Sequence, residues 1–124
     1  MNMNFIHRGL ANTTILFMFL MGIWALIYYF RGRNLDGNFF GIVAVGELLL
    51  VVQSTLGAIL MFSGFVPPRP FLHYLYGVFS LLVLPAIYYY TQGDQDRRAA
   101  LIWFFTGIFM FGLILRFVGM GSLG

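Results

Sequence analysis

The chain has 124 residues, 60% of them hydrophobic and only 9% charged, with a formal net charge of +3. A soluble domain averages about 45–50% apolar and about 25% charged residues, so this composition excludes both a soluble globular fold and a disordered chain. Cysteine is absent, which excludes disulfides, thiolate zinc sites, iron–sulfur clusters and covalent c-type heme attachment, and the seven basic residues, all arginine and scattered, form no stripe for nucleic acid.

Charge-free stretches set out the elements. A spanning helix needs about 20 apolar residues. Residues 9–30 carry no charge, which predicts a first helix over 5–30. Arg31-Gly-Arg-Asn-Leu-Asp-Gly37 follows, with charges and turn formers, and reads as a loop. Residues 37–68 are interrupted only by Glu47 and predict a second helix over 39–63. Ser63-Gly-Phe-Val-Pro-Pro-Arg-Pro70 holds three prolines and cannot be helical throughout. Residues 70–93 predict a third helix over 71–91, kinked near its end by Pro85. Thr91-Gln-Gly-Asp-Gln-Asp-Arg-Arg98 is a polar loop whose aspartates sit where a fourth helix, 99–119, begins. Acidic groups there favour the helix dipole.

These elements make one all-α domain over residues 1–124, an integral membrane four-helix bundle running up-down-up-down. The short loops make successive helices antiparallel neighbours. The first span has no convincing small-residue cleavage site and is expected to stay as a helix rather than act as a cleaved signal. The face holding the N-terminus is side A, which carries Arg8, Arg69 and Arg116, and the opposite face, side B, carries Arg31, Arg33, Arg97 and Arg98. That bias points side B to the cytoplasm and both termini outward, in the plasma membrane of a prokaryote. Clusters such as Tyr28–Phe30, Phe39–Phe40, Tyr88–Tyr90 and Trp103–Phe105 read as an interfacial belt on side B.

Few residues could carry chemistry. The two histidines, His7 and His73, lie near the side A ends of the first and third helices. Those helices run in the same direction and are diagonal in a simple bundle. With neighbouring axes about 8–10 Å apart, the diagonal is about 13 Å, a gap that suits a flat macrocycle ligated from both faces. The sequence therefore permits one bis-histidine heme b per chain. His7, Ala11 and Thr14 share one helical face, and His73, Gly77 and Ser80 share another, leaving room for a porphyrin edge. Gln53 and Gly57 lie one turn apart in the side A half of the second helix. Arg8, Arg69 and Arg116 suit bidentate pairing with propionates. Taken singly, each histidine also fits the headgroup level, and the arginines also fit lipid phosphates. Glu47 is an acid within a span, suited to proton uptake, to a quinone headgroup or to a substrate; a protonated, internally bonded side chain is its bland counterpart.

His7-Arg8 opening one helix, Gln53-Ser-Thr-Leu-Gly57 on the next, a proline-containing loop, and His73 opening the third resembles one half of a heme A synthase. The resemblance covers almost the whole chain but one of the family's two four-helix halves, and implies a histidine pair facing a heme near the outer surface, with homodimers as a natural form of a half-length version. Asn4 stands where the family's motif carries a glutamate implicated in oxidising the heme methyl group, and an asparagine cannot act as a carboxylate base. The outer-loop cysteines of many members are missing too. Both departures argue against heme A synthesis and leave heme binding in place.

The expectation is thus an electron-transfer or structural heme subunit of a larger respiratory or photosynthetic membrane complex, with the lipid bilayer, other membrane subunits or a second copy, and a quinone as partners. Three alternatives stand beside it: a heme-free accessory or assembly subunit, a half-size heme A synthase-like enzyme, and a small transporter built on Glu47.

Overall fold

The computed structural model describes residues 3–64 and 70–122. It contains α1 (Met3–Phe30), α2 (Gly37–Phe62), α3 (Pro70–Thr91) and α4 (Arg97–Ser122). All four helices contain segments long and apolar enough to cross a membrane, and the chain is an all-α four-helix bundle of multi-pass membrane type. In a bilayer every backbone group must be satisfied within the segment, which a helix does by itself. Polar side chains inside the helices follow the same rule: the hydroxyls of Thr14, Thr55 and Thr106 each donate to the carbonyl four residues earlier, at 2.7, 2.9 and 2.8 Å.

Two aspartates fix where helices begin. Asp36 Oδ1 accepts the Phe39 N–H at 3.0 Å and the Tyr28 hydroxyl at 2.8 Å, capping α2 while tying it to α1. Asp96 Oδ1 accepts the Ala99 N–H at 2.8 Å and caps α4. Both caps start their helices two residues earlier than the apolar pattern predicts. The side B loops are joined by the Leu35 N–H donating to the Gln95 carbonyl at 2.8 Å. Arg97 adds a further tie, donating from Nε and Nη2 to the Tyr29 carbonyl at 3.2 and 3.0 Å while its guanidinium lies over the Tyr29 ring.

The helices form a ring in the order α1, α2, α3, α4, with α1 packed most extensively on α4 and α2 most sparingly on α3. The diagonal pairs α1–α3 and α2–α4 have no backbone contact among the described residues. The α1–α4 seam is close because both sides are glycine: a Cβ at Gly107 would lie 2.6 Å from the Gly22 Cα. Small residues at a crossing let membrane helices approach by van der Waals packing, which replaces the hydrophobic drive lost in lipid.

The aromatic clusters divide. Tyr28, Phe39 and Trp103 are buried in the core with Met18, Met21 and Met110, so their placement in an interfacial belt is corrected. The Phe39 and Trp103 rings meet edge to face at 6.0 Å. Such pairs fill the interior where two helix ends converge. Phe30, Tyr89, Tyr90 and Phe105 are exposed, as a belt requires. α3 continues through Pro85 as one helix.

Candidate functional site

On α1, His7 lies half-buried in the first turns, with Ala11 and Thr14 beneath it on the same face, both buried. Thr14 satisfies its hydroxyl on the Leu10 carbonyl and so asks for no further partner. On α3, His73 is half-buried near the start of its helix, and its ring meets Tyr74 edge to face at 5.9 Å. Two turns deeper Ser80 is buried, with its hydroxyl donating to the Gly77 carbonyl at 2.8 Å. The faces that carry the histidines therefore point inward, and the small residues on them are self-satisfied.

Helix α2 fixes the position of His7. The Gln53 side chain donates from Nε2 to the His7 main-chain carbonyl at 2.7 Å. One turn further on, a Cβ at Gly57 would lie 3.4 Å from His7 Cε1, so α2 faces the imidazole with a residue that has no side chain. His7 and His73 are close enough to interact electrostatically, although the α1 and α3 backbones make no contact among the described residues. The spacing of Gln53 suggested a share in the site; its bond to a main-chain carbonyl on another helix carried no signal in the sequence.

Two buried polar atoms here have no partner, His7 Nδ1 and Gln53 Oε1. Most buried polar groups are hydrogen-bonded, and leaving one unmet costs about 1–3 kcal/mol. An imidazole that ligates a metal uses one ring nitrogen for the ion and seeks a hydrogen-bond partner for the other. A heme between diagonal helices fits the residues present: inward imidazoles at one end, small side chains beneath them, and an imidazole nitrogen awaiting a partner. Arg8 and Arg116 are exposed at the same end, within the level where a heme's carboxylates would emerge. Arg69 lies outside the described residues, as do the proline-containing connection before it and the Asn4 side chain.

Glu47 stands apart. It lines a cavity of about 570 Å³ between α2 and α3, toward side B, together with Phe40, Leu84, Pro85 and Tyr88. Its Oε1 is buried without a hydrogen-bond partner. By helix rise, six residues put Glu47 about 9 Å along α2 from Gln53, so the two sites occupy different halves of the bundle. Pro85 and Tyr88 were legible in the sequence only as a kink and as belt; a pairing across two helices has no local signal.

Comparison with protein families, with characterised proteins and with solved structures gives no match to this chain.

Proposed function

We propose that the chain is a heme b-binding membrane protein in which His7 and His73 are the two axial ligands. The observation that carries this is the pairing of inward imidazoles at one end of two diagonal helices whose backbones stay apart. In this reading Gln53 holds His7 in register through its carbonyl, and Gly57 and Gly77 keep the neighbouring surfaces low. Arg8, Arg69 and Arg116 neutralise the propionates. Heme so ligated supplies one-electron transfer. His7 and His73 would hold it, and the small and apolar side chains around them would shield the ring from water. We place such a chain as an electron-transfer or structural heme subunit of a larger redox complex in the membrane, with the histidine end on the outer side. The similarity of its His7, Gln53–Gly57 and His73 pattern to half of a heme A synthase supports heme binding, and Asn4 speaks against the synthase reaction.

The test is the heme content of protein purified from cells supplied with a heme precursor, assayed as the pyridine hemochrome. One heme b per chain is expected, with most of it lost in His7→Ala and in His73→Ala. Protein that folds and purifies without heme overturns the proposal.

A further inference from the structure

The cavity between α2 and α3 is built from parts unlike those at the histidine end. Phe40, Ala44 and Glu47 line it from α2, and Leu84, Pro85 and Tyr88 line it from α3. Its volume of about 570 Å³ lies within the range of about 300–1,000 Å³ that holds small organic ligands. It occurs where the ring of helices packs most sparingly, so a ligand dissolved in the bilayer has a sideways route in. Counting ten residues from Gly37, Glu47 lies about 15 Å below the start of α2, well inside a hydrocarbon core about 30 Å thick.

The polar groups define the occupant. A carboxyl at that depth is costly to ionise without a cation, and no basic residue lines the cavity. Glu47 is therefore held as the neutral acid, which donates through its O–H and accepts through its second oxygen. The buried Oε1 has no partner. Opposite it on α3 stands Pro85, whose ring replaces an amide N–H and adds a rigid apolar surface. The end wall is aromatic and rigid: the Phe40 and Tyr88 rings meet at 5.6 Å and 90°. The site thus offers the Glu47 carboxyl as donor and acceptor, the Gln92 amide toward side B, and flat apolar walls.

We propose that this cavity binds a membrane quinone or quinol, with the head group hydrogen-bonded to Glu47. A quinone carbonyl accepts from the neutral carboxyl, and a quinol hydroxyl donates to it. The conjugated ring packs on Phe40, Tyr88 and Pro85, and the tail leaves between α2 and α3 into lipid. A phospholipid head fits poorly, because no basic residue in the lining meets its phosphate. The inference concerns binding alone and stands independently of heme at His7 and His73.

The test uses the full chain in lipid nanodiscs, with decyl-ubiquinone as the probe. The chain has two tryptophans, and in a Trp24→Phe background Trp103 reports alone, its ring 6.2 Å from Phe40. Saturable quenching is expected. Its Kd should rise about tenfold, the value of one lost hydrogen bond, in Glu47→Leu, and should rise as well in Ala44→Leu, which places a bulkier side chain in the lining and leaves the carboxyl in place. Glu47→Gln, which keeps a donor and an acceptor, should stay close to the parent. His7→Ala should bind the quinone unchanged, so that failure of the heme reading leaves this result intact. Three results overturn the inference: quenching that rises only linearly with quinone per lipid, an affinity equal to the parent's in both Glu47→Leu and Ala44→Leu, or saturable binding of decyltriphenylphosphonium with none of the quinone.

Discussion

The Gln53 amide donates a 2.7 Å hydrogen bond to the main-chain carbonyl of His7, a residue 46 positions away in sequence. It joins α2 to the first turns of α1 at the level of the imidazole. Polar bonds between membrane helices average about 0.6 kcal/mol, too little to hold the bundle together. Its effect is positional: it sets where the His7 backbone stands, and the same side of α2 presents Gly57 to the ring, where an added Cβ would come within 3.4 Å of His7 Cε1.

Gln53→Leu should therefore leave the helical fold intact and weaken the grip on heme. Loss of a group that orients a metal ligand costs about 10–100-fold in affinity, and the lower figure is expected here because the bond is to the backbone. Transfer of heme to apomyoglobin measures it. Unchanged transfer kinetics would remove Gln53 from the site. Gly57→Ala makes only ordinary contact and should behave as the parent.

Gly107→Ala should be the more damaging substitution for stability. Its Cβ would stand 2.6 Å from the Gly22 Cα, 2.7 Å from the Gly22 nitrogen and 2.9 Å from the Met18 carbonyl. Backbone cannot rotate away, so α1 and α4 must separate. Overpacking of this kind costs about 1–3 kcal/mol. Denaturant unfolding in mild detergent reads the effect, with Gly112→Ala, which meets nothing within 4 Å, as the control. Equal midpoints for the two variants would show that the α1–α4 seam is looser than described.

The cap at Asp36 predicts a pH dependence. The Phe39 N–H, followed by the Tyr28 hydroxyl, holds its carboxyl below the usual carboxylate range. A carboxyl whose folded pKa is depressed contributes stability that is present above its unfolded value and lost as pH falls through the folded value. Thermal stability should drop through the acid end of the carboxylate range in the parent and show a smaller drop there in Asp36→Ala. Asp36→Asn keeps the acceptor oxygen and should retain much of the cap without the titration. An acid limb of the same size in all three proteins would contradict the assignment.

The architecture was legible because membrane physics is local. Each span needs its own run of apolar residues, and the four charge-free stretches supply one each. The matched depth of His7 and His73 was legible for the same reason, since depth can be counted from a helix end. What lay beyond reach depends on two distant residues at once. Gly22 and Gly107 look like ordinary membrane glycines until α1 meets α4. Tyr28, Phe39 and Trp103 have the composition of an interfacial belt, and only the convergence of the helix ends at the Asp36 cap puts them inside. Glu47 stood out as an acid within a span, but the proline facing it across the cavity is 38 residues further along the chain.

One heme held between His7 and His73 is open to a reduced-minus-oxidised optical spectrum of the purified full chain. Bis-histidine ligation predicts a sharp b-type α band and a low-spin oxidised spectrum, with the α band lost or the iron converted to high spin in both His7→Ala and His73→Ala. A parent protein without an α band, or a band that survives unchanged in either variant, would contradict it.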